Sequence, residues 1–123
     1  MSNKHTAEIS PLDETVTVSA RINGSLILET SRALELREHH NGQDYAPVLY
    51  FPRDAIDMSR LTKNESHSSH CPIKGDASYY SLKTGLGMVE NIAWSYEDPI
   101  DHVAEIKNYL GFDGRFVTIL RQP

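Results

Sequence analysis

From Thr15 the chain reads T-V-T-V-S-A-R-I and then Asn23-Gly24. Val16, Val18, Ala20 and Ile22 alternate against Thr17, Ser19 and Arg21. Successive side chains of a strand point to opposite faces, so this alternation predicts a strand with one face buried. Asn-Gly accepts the positive φ that both central residues of a type I′ turn require, so Ser25 to Thr30 is expected to return antiparallel. Short alternating runs recur along the chain. Ala33 to Glu38 alternates, Val48 to Phe51 is a brief strand stopped by Pro52, and Arg115 to Leu120 closes the chain as a strand. Ala77 to Thr84 is expected to pair with Met88 to Tyr96 across Gly85-Leu86-Gly87.

Between these runs, His39 to Ala46 reads as a loop, Arg53 to Leu61 as a single helical turn and Lys63 to Ser66 as a polar extension. One helix is predicted over residues 99–110. Asp98 suits its N-cap, Pro99 its first position and Asp101 its first turn. Ile100, Val103, Ile106 and Leu110 follow helical spacing, and Gly111 is placed to end it. The expected fold is mainly β: an antiparallel barrel or tent-like sheet of about seven short strands with one helix near the C-terminus.

At 123 residues the chain is close to the usual size of one domain. The reading is a frayed polar leader over 1–13 and a single domain over 14–123. Its formal net charge is -5, with 12 Lys and Arg scattered among 17 acids. Binding to a phosphate backbone needs clustered cations, so no nucleic acid is expected as a partner. No apolar run approaches the roughly 20 residues that span a bilayer, so no membrane partner is expected either. A single cysteine excludes an internal disulfide, and the N-terminus shows no apolar signal region. Together these point to the cytoplasm. Oligomeric state is not legible.

Reactive side chains concentrate between His67 and Ser81, in H-S-S-H-C-P-I-K-G-D-A-S-Y-Y-S. Cys71 is the candidate nucleophile, with His70 or Lys74 available to lower its pKa. Adjacent strand residues face opposite ways, so His70 and Cys71 form a dyad only if Pro72 kinks the chain. Asp76, His70 and a tyrosine supply an alternative acid–base set. His67, His70 and Cys71 offer imidazole and thiolate, but the spacing is wrong for one strand face and a fourth ligand is missing, so neither metal nor cofactor is expected.

Lys74-Gly75-Asp76 offers a lysine and turn amides to an anion but is not a Walker motif, and no acidic D-x-D pair stands ready to hold magnesium. Each feature also has a plain structural reading: a packed thiol, solvated histidines, a turn with a surface ion pair. Tyr50, Tyr79, Tyr80, Trp94 and Tyr96 form an aromatic set whose polar tips want partners when buried.

Four stretches carry a family resemblance: S-R-A-L-E-L-R-E (Ser31 to Glu38), Y-F-P-R-D (Tyr50 to Asp54), H-C-P-I-K-G-D-A-S-Y-Y-S (His70 to Ser81) and A-W-S-Y-E-D-P (Ala93 to Pro99). In this order, from about Val16 to Phe112, they resemble domain-of-unknown-function family 427, which carries a nucleotidyltransferase-like nickname. The resemblance implies a compact antiparallel fold of tent or barrel kind, related in shape to small zinc-binding chaperone-like domains, with a polar cavity lined by the motif residues. It implies no settled activity. The related zinc domains use two cysteine pairs, and this chain has one cysteine.

The leading expectation is therefore a domain that binds a small polar or anionic ligand in a cavity. Arg53 and Lys74 would supply charge, Asp76 a polar contact, Tyr80, Trp94 and Tyr96 the walls, and Cys71 the floor. Two other classes stay open. One is an enzyme using Cys71 or the acid–base set, which requires an unusually acidic thiol or a tuned pair. The other is a protein-interaction module using the exposed face of the 99–110 helix, with His102, Glu105, Lys107 and Asn108.

Overall fold

The computed structural model describes residues 5–123. It is mainly β and builds eleven strands: β1 (Thr6–Pro11), β2 (Thr17–Ile22), β3 (Ser25–Thr30), β4 (Leu34–His40), β5 (Gln43–Asp44), β6 (Val48–Tyr50), β7 (Leu61–Cys71), β8 (Gly75–Thr84), β9 (Gly87–Tyr96), β10 (Leu110–Phe112) and β11 (Thr118–Gln122). They form three antiparallel sheets: β11-β2-β3, β1-β4-β5 with β6 also on β4, and β10-β9-β8-β7. Phe51 and Leu110 exchange backbone hydrogen bonds of 2.8 and 2.9 Å, which bridges the end of β6 to β10. The sheets do not close into a barrel, and the strand number exceeds the expected seven.

The Asn-Gly signal works twice. Asn23 and Gly24 have φ of 51° and 80°, and Ile22 pairs with Ser25 across them. Asn41 and Gly42 repeat the geometry, at 55° and 77°, and turn the expected loop into the β4–β5 hairpin. Val18 and Ala20 are fully buried, as the alternation requires, in a core shared with Ile27, Leu28, Phe51 and Ile92. A second apolar cluster gathers Leu36, Tyr50, Ala77, Tyr96, Val103 and Ile106, and Cys71, Tyr79 and Trp94 pack against it.

Three further expectations are corrected. The leader expected over 1–13 contains β1, paired with β4 from Thr6↔His39 to Pro11↔Leu34. Ala7 and Ile9 lie against the second cluster, and that burial holds the strand. The part of the leader before His5 lies outside the described residues. The single turn expected over 53–61 is two 3-10 turns, Arg53–Ala55 and Met58–Arg60, the second capped by the Asp57 side chain accepting from the Ser59 N–H.

The helix expected over 99–110 is a 3-10 segment, Asp101–Ile106, kinked at Val103 (φ -119°, ψ 25°). Ile100, Val103 and Ile106 recur every third residue, which eclipses side chains on a 3-10 turn. Both ends of the segment are also tied to the third sheet. The Ile100 N–H donates to the Lys74 carbonyl at 3.0 Å, and the Asn108 N–H donates to the Tyr96 carbonyl at 3.1 Å. Gly111, placed at a helix end by the sequence pattern, lies inside β10.

Candidate functional site

The His67–Ser81 stretch is the β7–β8 hairpin, turning between Cys71 and Gly75. On β8 and β9 the ladder pairs Ala77 with Tyr96, Ser78 with Ser95, Tyr79 with Trp94 and Tyr80 with Ala93. Alternation then sorts the motif residues onto two faces. Ala77, Tyr79, Trp94 and Tyr96 share one face. Ser78, Tyr80, Ser95 and Glu97 share the other.

The first face borders an open groove of about 680 Å³, lined at its inner end by Tyr50, Lys74, Trp94 and Tyr96, with His67 and Tyr79 beside them. Trp94 donates its indole Nε1–H to the Tyr50 hydroxyl at 3.1 Å, and the two rings meet edge-on at 85°. The cross-strand neighbour of Trp94 on β10 is Gly111, and a Cβ there would stand 2.8 Å from the indole carbons. The missing side chain lets the indole lie against the sheet.

Lys74 reaches the groove because Gly75, at φ 112°, turns the chain sharply after it. Its Nζ donates to Glu38 Oε1 at 2.8 Å and sits 5.7 Å from the centre of the Tyr96 ring. His5 contacts the other Glu38 oxygen. Burial alone would raise the Glu38 pKa, but hydrogen bonds from Lys74 and His5 outweigh it and hold the carboxyl below its ordinary range. Burial alone would lower that of Lys74, and the bond to Glu38 with the surrounding negative groups outweighs it, so the lysine stays charged. Burial pushes the phenol of Tyr50 up, and that of Tyr96 well above its ordinary value. Both remain protonated donors.

Tyr96 is only 6% exposed. Among the described residues no hydrogen bond engages its hydroxyl, yet that oxygen is not sealed from solvent. It lines the groove.

The second face carries a different construction. Arg53 donates Nε to the Asn108 carbonyl at 2.6 Å, and Nη2 to Tyr80, Ser95 and Glu97 at 3.2, 3.2 and 3.1 Å. Its guanidinium stands 5.3 Å from the Tyr80 ring centre. Lys63 and Ser78 donate to the other Glu97 oxygen at 2.8 and 3.1 Å, and Tyr80 donates its hydroxyl to the first. Burial would raise the Glu97 pKa, but these four donors outweigh it and pull the carboxyl down to about 2.

The sequence-predicted site therefore divides. Cys71, Lys74, Trp94 and Tyr96 come together at the groove or against its floor. Arg53 and Tyr80 lie on the opposite face and are engaged with Glu97. Asp76 alternates with Ser78 and Tyr80 on the second face but takes a partner of its own. It stands opposite His70 in the ladder and pairs with that ring at 2.7 Å, both side chains well exposed. His70 is thereby turned away from Cys71, and the supposed dyad is not formed. Among the described residues no group of three or more His, Cys, Asp or Glu is positioned to hold a metal ion.

Glu38 and Glu97, which organise the two faces, were not among the predicted site residues, and Tyr50 was named only with the aromatic set. Glu97 was accessible in principle: it follows Tyr96, so alternation opposes it to Trp94 and Tyr96. For Glu38 no local signal existed, because its partners His5 and Lys74 come from distant parts of the chain.

A family model described as "Domain of unknown function (DUF427)" matches residues 8–122. Among curated proteins nothing matches the chain.

Proposed function

Since the chain belongs to the DUF427 family, whose description assigns no activity, we propose a function from the groove itself: the protein binds a small polar ligand there. The observation that carries this reading is the Tyr96 hydroxyl: its ring is largely buried, its oxygen stays open to solvent without a partner among the described residues, and the residue lines the groove. A hydroxyl that the protein leaves uncommitted at a groove surface is free to bond a ligand. The surroundings suit a ligand. Tyr50, Tyr79 and Trp94 supply apolar surface, while Lys74 and the phenols supply convergent donors. Arg53 and Tyr80 act instead as a fastening on the far face. A thiol nucleophile is supported less well, because Cys71 packs against the second apolar cluster and His70 is engaged by Asp76.

The test is a thermal-shift panel of small polar compounds on the wild type, Tyr96→Phe and Arg53→Ala, each referred to its own midpoint. Compounds that stabilise the wild type are expected to stabilise Arg53→Ala equally and Tyr96→Phe less. Hits that persist undiminished in Tyr96→Phe would overturn the assignment of the site.

A further inference from the structure

The charge and donor pattern of the groove narrows the class of ligand, and this step rests on the groove being a binding site. Lys74 and Arg115 are its lining cations, Glu90 and Asp113 its lining carboxylates. Both cations are already matched. Arg115 donates Nη2 to Asp113 at 2.7 Å, and Lys74 donates to Glu38 at 2.8 Å. Glu38 adds a carboxylate behind the inner end, in a chain of net charge -5. The field in the groove is thus neutral to negative, which disfavours phosphates and other strong anions.

Hydrogen-bond capacity at the inner end has the opposite bias. The Tyr50 hydroxyl accepts from Trp94, and its own proton has no acceptor among the described residues. The Tyr96 proton is likewise uncommitted, and an ammonium has three protons of which Lys74 uses one on Glu38. Both Glu38 oxygens are occupied, by Lys74 and His5. The inner end offers donors without net positive charge. Next to it, Tyr79 and Trp94 stand as direct cross-strand neighbours and present ring surface along the groove.

We infer that the ligand is a flat, uncharged ring carrying a carbonyl acceptor, of the lactam or cyclic amide class. Its carbonyl oxygen accepts from Tyr96 and Lys74, one on each lone pair, while its ring lies along Trp94 and Tyr79. A neutral carbonyl satisfies the donors without paying to displace Glu38 from Lys74, which an anion must do to gain charge pairing.

The experiment is calorimetric titration of the full chain with three flat bicyclic probes: carbostyril (a lactam), quinaldate (a carboxylate) and naphthyl phosphate. Carbostyril is expected to bind at least about tenfold tighter than either anion, with affinity unchanged when salt is raised, and Tyr96→Phe is expected to weaken it about tenfold. Tighter binding of quinaldate or naphthyl phosphate, weakened by salt, would overturn the neutral-carbonyl assignment and leave the groove as a ligand site. Absence of binding by all three would overturn both readings. Equal carbostyril affinity in Tyr96→Phe would remove the Tyr96 hydroxyl from recognition and sink the inference, even with the preference over anions intact.

Discussion

Gly111 and Gly75 each hold one wall of the groove in place, for different reasons. A methyl group at Gly111 meets the indole of Trp94 at 2.8 Å, so Gly111→Ala has to tip the ring off the sheet. The expected cost is about 1–3 kcal/mol in urea unfolding, as for overpacked sites. Trp94 is the only tryptophan, so its fluorescence reports the change directly, with a shift toward a more solvated emission. Unchanged emission and stability would show that the close packing is not needed.

At Gly75 the backbone is the issue: φ is 112°, and an added Cβ would lie 3.3 Å from the Asp98 carbonyl oxygen. Gly75→Ala is expected to lose about 1–3 kcal/mol and to loosen Lys74 from Glu38. At this scale the aromatic site was half legible. Adjacent tyrosines must face opposite ways, so only one of Tyr79 and Tyr80 can stand beside Trp94. The choice depends on the ladder register, which shifts between Tyr80 and Leu82, where Asn91 takes a positive φ of 55°. No local residue pattern announces that shift, and the expectation selected Tyr80.

Among the elements, the Arg53–Glu97 fastening joins the turn after β6 to β8, β9 and the Asn108 carbonyl. The Glu97 pKa in the folded protein, about 2, lies below its ordinary 4.5. A depressed carboxylate pKa contributes stability that is complete above the ordinary value and lost as pH falls toward the folded one. The contribution is reduced to about 1–2 kcal/mol by solvent screening of this partly exposed cluster. Acid titration of unfolding stability is therefore expected to decline from about pH 4.5 downward, and Glu97→Gln is expected to flatten that limb while lowering stability at neutral pH. A variant with the same acid limb as wild type would show that Glu97 does not drive it. The 3-10 segment teaches a related lesson. Apolar spacing over residues 100–110 was compatible with two helical periods, and the segment takes the shorter one between its bonds to the Lys74 and Tyr96 carbonyls.

Across the whole molecule, the antiparallel β character was legible because alternation and Asn-Gly turns act within a few residues of each other. The assembly of three sheets was not. It depends on contacts such as Phe51 with Leu110 and β1 with β4, which join segments far apart in sequence. The leader is the sharpest case, since Ala7 and Ile9 form too short an apolar pattern to stand out. Deleting residues 1–11 is expected to cost about 2–5 kcal/mol by uncovering the second apolar cluster, measured by urea unfolding. A neutral deletion would restore the frayed-leader reading.

The central claim is that the groove beside Trp94 receives a ligand through the donors at its inner end. It is tested most directly by the single indole N–H resonance, which reports the Trp94–Tyr50 bond. On titration with carbostyril, the resonance is expected to move saturably in the wild type and in Arg53→Ala, and about tenfold more ligand is expected to be needed in Tyr96→Phe. A resonance that stays fixed while calorimetry records binding would place the ligand elsewhere and contradict the account.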